Sequence, residues 1–200
     1  MPLRANVALS DDDRALLERC RRGDEDAWVA LYGRYAGELG RYMRAMLVSV
    51  ADVDDLVQRS FLEFLRSLDN FRGESSLRRW LYAIAHRVLS HERRSQARYI
   101  SRKRGYAEVV EHDLDIEPRL QAREQLRSLL QLLDRVKEPF REVWVLRELA
   151  GLSAAETASV LDLGLATVRT RHFRARQQLL GHLATEEEEA VSQSARSLGL

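Results

Sequence analysis

Residues 152–180 read LSAAETASVLDLGLATVRTRHFRARQQLL. Ser153 stands where an N-cap is wanted, and the helix it opens runs to Leu161. Asp162, Leu163 and Gly164 break that helix, and a second begins near Ala166 with Thr167 in its first turn. Two helices around so short a break have helix-turn-helix spacing. On the second, Val168, His172, Ala175 and Leu179 follow one another at intervals of 4, 3 and 4 residues, which makes them the inner stripe. Thr170, Phe173, Arg174 and Gln177 then face outward, flanked by Arg169, Arg171 and Arg176. Four arginines without an acid suit phosphates and the acceptor edges of guanine in a major groove. A merely solvated basic helix is the weaker reading: such faces normally mix both charge signs, and an outward Phe among arginines serves no solubility purpose. His172 is expected to be a core histidine bonded to a neighbour rather than a ligand or a pH sensor.

The rest of the chain fits a helical, nucleic-acid-facing protein. Apolar residues make up 45% of its 200 positions, enough for one domain core or two small ones. The net charge is only +1, so any preference for nucleic acid must come from local segregation. Residues 78–104 hold nine basic side chains against the single acid Glu92, whereas residues 107–117 hold five acids and no Lys or Arg. The lone Cys20 excludes an internal disulfide and fits a reducing cytoplasm. No apolar run approaches membrane-spanning length, and the N-terminus lacks a signal-peptide core. With three prolines and no alternating strand pattern, the expected fold is all-α.

Taken in order, Ser10 before Asp11, Asp12 and Asp13 caps a helix that stops at Gly23, and Asp24 starts a long one ending near Ser49. In that helix Trp28, Leu31, Tyr32, Tyr35, Leu39, Tyr42, Met43 and Leu47 keep the helical period. A third helix opens at Asp52 or Asp54, with Val53, Leu56, Val57, Phe61, Phe64, Leu65 and Leu68 facing the core. Residues 71–76 form a loop, and a fourth helix runs from Leu77 to about Arg104, its later turns almost wholly basic. Residues 105–118 are acidic, lack periodicity and end at Pro118, a proline suited to the first turn of a helix, so they are expected to link two domains. Helices at about 119–136 and 140–149 then precede the helix-turn-helix, and residues 183–200 form an acidic and polar tail expected to fray.

Both halves resemble one family. LSAAETASVL followed by TVRTRHFRAR is similar to region 4, the promoter-reading helix-turn-helix of extracytoplasmic-function sigma factors of the sigma-70 family. DVDDLVQRSFLEFLRSLDNFRGESSLRRWLYAIAHRVL, residues 52–89, resembles sigma region 2, and the order of the two and the linker between them also match. The absence of the extra domains of housekeeping sigma factors favours the compact extracytoplasmic-function type. The sequence departs from the family pattern at Asp162, where the turn usually has Gly, at His172, where Leu or Ile is usual, and at Arg87 and His91, where Asn and Asp are common.

The resemblance implies a two-domain sigma factor: residues 1–104 as a region 2-like domain, 105–118 as linker and 119–182 as a region 4-like domain. It implies that Asp54, Asp55, Leu56 and Gln58 dock on core RNA polymerase. Phe71, Arg72, Ser75, Ser76, Arg79, Trp80 and Arg87 would hold melted minus 10 DNA, with Trp80 as readily a core residue as a pocket wall. Arg169, Thr170, Arg171, Phe173, Arg174 and Arg176 would meet the minus 35 duplex. It also implies control by an anti-sigma factor. The linker acids are either a solvated spacer or a mimic of nucleic-acid phosphates inside the polymerase. No cofactor and no metal are expected, because histidines 86, 91, 112, 172 and 182 lack ligand spacing with Cys20 or one another, and no catalytic constellation or phosphate-cradling loop is present. The chain is therefore expected not to be an enzyme. The alternative is a one-component regulator that binds duplex DNA without polymerase.

Overall fold

Local capping sets most of the helix starts. The structure, a computed structural model, describes residues 9–47, 53–102 and 120–197; the acidic segment with Glu108, Glu111, Asp113, Asp115 and Glu117 lies outside the described residues. Ser10 accepts a hydrogen bond from the Asp13 backbone N–H at 3.1 Å and opens α1 (Asp11–Arg21), which ends before Gly23 at φ 79°. Asp24 accepts from the Ala27 N–H at 3.2 Å and opens α2 (Glu25–Met46). Each such cap is worth about 1 kcal/mol. The chain continues through α3 (Val53–Ser67), a single 3-10 turn (Leu68–Asn70), α4 (Leu77–Arg102), α5 (Leu120–Arg135), α6 (Glu138–Trp144), α7 (Ala154–Leu161) and α8 (Leu165–Ser197). Among the described residues there is no strand.

The end of α6 widens into a π turn (Val145–Leu149), closed by the Ala150 N–H donating to the Val145 carbonyl at 3.0 Å. Gly151, at φ 67°, then turns the chain toward α7. The segment from Thr185 is helical to Ser197 rather than frayed. Residues 182–197 contain no Gly or Pro and include four Glu and three Ala, so nothing in them stops the helix once α8 has formed.

In the first half, Leu17, Leu31, Leu39, Met43, Leu56, Phe64, Leu81 and Leu89 are buried side by side. Tyr42 and Tyr82 meet edge to face with ring centres 5.3 Å apart, and Trp28 meets Phe64 in the same way at 6.2 Å. Tyr32 and Leu65, expected inside, are instead 44% and 47% exposed. On α3 the buried arc is Leu56, Val57, Ser60, Phe61 and Phe64, and Leu65 lies past its edge. Ser60 can occupy that arc because its hydroxyl donates to the Leu56 carbonyl at 2.8 Å, leaving no polar group unsatisfied.

The second half buries Leu132, Leu133, Val136, Val143, Leu146, Val160, Val168, Ala175 and Leu179. Arg141 is also buried, 3% exposed, with its guanidinium 3.0 Å from Asp134. The two cores are continuous: α4 packs on α7, and α2 packs on α5 and on the π turn. That contact brings the loop after α3 against the helix-turn-helix.

Candidate nucleic-acid interface

The helix-turn-helix is built as its residue pattern requires. Ser153 and Glu156 form a reciprocal capping box: the Ser153 hydroxyl accepts from the Glu156 N–H at 3.1 Å, and the Glu156 carboxylate accepts from the Ser153 N–H at 2.9 Å. Asp162 ends α7 in the left-handed conformation, φ 52° and ψ 50°, the state that Asp tolerates better than most residues. On α8, Val168 and Ala175 are fully buried and Leu179 nearly so. His172 sits half-buried beside them with Nε2 2.7 Å from Glu148, the neighbour-bonded role expected of it.

Arg169, Thr170, Phe173, Arg174, Arg176 and Gln177 all face solvent, and Arg171 is half-buried at the rim. Phe173 is 62% exposed, an unusual placement for a phenyl ring unless it meets a partner. The Arg174 guanidinium lies over the Phe140 ring of α6, 5.9 Å from its centre.

The loop after α3 is pinned at its start by Arg21, whose guanidinium donates to the carbonyls of Leu68 at 3.2 Å and Phe71 at 2.7 Å. Phe71 stacks on Trp80, ring centres 4.2 Å apart and planes 9° apart. Trp80 in turn leans on Phe64 at 4.5 Å, so its ring is both wall and core. Arg72 and Arg87 are exposed. Ser75 is 3% exposed, with its hydroxyl directed to the Ser76 carbonyl at 3.3 Å, so it does not offer the donor expected of it. Ser76 caps α4 by accepting from the Arg79 N–H at 3.1 Å.

Ser76 and Arg79 do not face open solvent. The Ser76 hydroxyl donates to Glu156 at 2.6 Å, and the Arg79 guanidinium donates to the Ser159 hydroxyl at 2.5 Å. Burial pushes the Glu156 carboxyl up, but hydrogen bonds from Ser76 and Ser153, with the Arg79 charge nearby, hold it below the ordinary carboxylate range. Arg78, ion-paired with Glu38 at 2.7 Å, donates to the Ala150 carbonyl at 3.0 Å. These cross-contacts join residues far apart in sequence and were not anticipated from it.

The acidic patch on α3 is arranged differently from expectation in one respect. Asp54, Asp55 and Gln58 are exposed, with Asp55 3.6 Å from Arg59 and Asp54 3.8 Å from Arg44. Leu56 is 1% exposed and belongs to the core, so it cannot meet a partner. The apolar neighbours that do reach solvent are Leu62 and Leu65, 51% and 47% exposed, on the same helix one and two turns later. Helical spacing had put Leu56 on the core face, as observed, whereas Leu65, also expected there, lies past the edge of the buried arc.

Residues 31–99 match the family model for Sigma-70 region 2, and residues 126–179 match that for Sigma-70, region 4. The chain is 36% identical over 180 residues to the ECF RNA polymerase sigma-E factor of Haemophilus influenzae, covering 84% of this chain and 93% of that protein. It is 33% identical over 176 residues to the protein of that name from Salmonella typhi, covering 84% and 92%. Among solved structures it is similar to CnrH in complex with the cytosolic domain of CnrY, with 28% identity, TM-score 0.66 and coverage of 88% and 99%. The fold is also that of the sigma factor RpoE in complex with the anti-sigma factor NepR from Bartonella quintana, at 21% identity, TM-score 0.67 and coverage of 78% and 96%.

Proposed function

The chain belongs to the extracytoplasmic-function sigma factors of the sigma-70 family, and we propose that it directs core RNA polymerase to a specific set of promoters. The observation that carries this is the ordered pair of matches, region 2 and then region 4, in one chain whose α8 presents arginines and a phenyl ring to solvent. The protein reads DNA and lends specificity to another enzyme; it has no catalytic step of its own, and it works where the polymerase works, in the cytoplasm. A duplex-binding regulator independent of polymerase would have no use for a region 2.

Residue by residue, α8 enters the major groove of the minus 35 element. Arg174, Thr170 and Phe173 face base edges, and Arg169, Arg171 and Arg176 face phosphates. In the region 2 domain, the stacked pair Phe71 and Trp80 forms the floor on which a melted base rests, and Arg72, Ser76, Arg79 and Arg87 hold its backbone. Asp54, Asp55 and Gln58 with the exposed Leu62 and Leu65 form the surface for core polymerase, a polar and apolar combination typical of stable interfaces. Release and capture by an anti-sigma factor complete the cycle, as the NepR complex of a protein of this fold suggests.

Charge reversal at the start of α3, Asp54→Lys with Asp55→Lys, tests the polymerase contact. Both side chains are largely exposed, so the fold should survive, with circular dichroism still helical. Holoenzyme assembly, measured by co-elution with core polymerase, should be lost. Normal assembly would remove the patch from the interface.

A further inference from the structure

α1 lies ahead of residues 31–99, the part of the chain that matches region 2, yet it grips the loop assigned to melted DNA. The grip is a single side chain. Arg21, the last residue of α1, donates from Nη1 to the Glu18 carboxylate at 2.6 Å, which fixes the plane of its guanidinium. From Nη2 it donates to two carbonyls at once, Leu68 at 3.2 Å and Phe71 at 2.7 Å. One carbonyl stands at the start of the 3-10 turn and the other just past its end, and the Phe71 N–H also donates to Leu68 at 3.2 Å. Holding both peptide groups sets the Phe71 backbone at φ −78° and ψ 113°, and with it the direction in which the ring leaves the chain. That ring lies flat on Trp80, centres 4.2 Å apart.

The rest of α1 gives this hold a firm base. Leu16, Leu17 and Cys20 are buried, and Asp13 pairs with Arg34 of α2 at 2.9 Å. Just before the helix, Leu9 is buried in the same core and lies under the far side of the loop, where a Cβ at Gly73 would stand 3.5 Å from it. The segment from Leu9 to Arg21 therefore meets the loop on both sides of Arg72, at Phe71 and at Gly73.

We propose that Arg21 is a positioning residue for the minus 10 element, keeping Phe71 stacked on Trp80 so that the pair receives an unstacked base in one orientation. The role rests on the assignment of Phe71 and Trp80 to melted DNA. Both Nη groups of Arg21 are taken by protein oxygens, so it acts through the Phe71 backbone rather than on the strand itself. Without the guanidinium the two carbonyls turn to water and the ring loses its fixed direction. Base choice at the melted position then suffers, while the α3 surface and α8 are untouched.

The test uses the full chain with core polymerase on randomised promoter templates, reading the motifs enriched among those that yield RNA. Arg21→Met keeps an unbranched stem and removes every donor, Arg21→Lys keeps a cation able to donate to both carbonyls, and Phe71→Ala removes the ring. Circular dichroism and co-elution with core polymerase confirm that each variant folds and assembles. Loss of an aromatic support costs a stacked base about five-fold or more in affinity, and Phe71→Ala should dilute enrichment of the downstream motif by that factor. Arg21→Met should dilute it about two- to five-fold, and Arg21→Lys should recover at least about half of that loss. The upstream motif, read by the distant α8, should stay within about two-fold of the parent in every variant.

Intact downstream choice in Arg21→Met beside a relaxed Phe71→Ala overturns the role of Arg21 and leaves the assignment of the loop standing. A Lys variant no better than Met overturns it too, as does a loss shared by both motifs, the mark of a merely weakened fold. If Phe71→Ala itself leaves the downstream motif unchanged, the loop does not hold melted DNA and the role of Arg21 falls with it.

Discussion

Arg174 and Arg176 lie two positions apart on α8 and both face solvent, yet they are expected to do different work. Arg174 shares the outer face with Thr170 and Phe173 and is steadied over Phe140. A bidentate contact to guanine from this position makes Arg174→Ala cost about 1 to 3 kcal/mol at the minus 35 element and relaxes sequence choice there. Arg176→Ala should weaken every duplex alike and flatten the salt dependence, as loss of a phosphate contact does. Binding isotherms on matched and mutated duplexes separate the two, and equal, sequence-independent losses would take base reading away from Arg174. A second residue-scale expectation concerns His86, whose Nδ1 lies 3.1 Å from the Tyr42 hydroxyl and whose Nε2 faces Ser90 at 3.4 Å. Burial first, and then the Arg93 charge, push its pKa below the ordinary 6.5. The unfolded chain therefore takes up a proton that the folded one resists, and this group's contribution to stability falls as pH drops through the ordinary value. Melting temperature should decline between about pH 7.5 and pH 5.5, and His86→Gln should flatten that decline relative to the parent.

At the scale of elements, the capping box of α7 is the sharpest test of how the helix-turn-helix is held. Ser153→Ala removes the acceptor for the Glu156 N–H in a buried site and should cost about 1 kcal/mol, with a range of about 0.5 to 2, read from urea or thermal unfolding. A change within error would mean that packing alone positions α7. What was legible in the sequence was of this local kind. Ser10, Asp24 and Ser153 cap the helices assigned to them, Asp162 takes the left-handed turn, and Val168, His172, Ala175 and Leu179 form the stripe, because caps and periodicity act over a few residues. Leu56 faces the core as its helical spacing predicts, so the docking role that the resemblance gave it does not fit its burial. Leu65, expected inside, sits at the edge of the buried arc, where periodicity alone does not fix burial. Ser75 was misplaced likewise, since nothing local distinguishes its buried hydroxyl from that of Ser76. The contacts of Ser76 with Glu156 and of Arg79 with Ser159 span 80 residues each and leave no periodic signature.

For the molecule as a whole, the central claim is that two DNA-reading domains serve one polymerase. The region 2 and region 4 matches establish the family, and the continuous core of the two halves shows the domains docked. The most direct measurement is in vitro transcription from a library of randomised promoters with core RNA polymerase plus this protein, followed by sequencing of the templates that yield RNA. The expected result is RNA only when the protein is present, from templates enriched in two short motifs at a fixed spacing, with sequence choice in the upstream motif relaxed in the Arg174→Ala variant. RNA no more abundant than with core enzyme alone, or templates carrying only one motif that the protein binds equally well without polymerase, would contradict it.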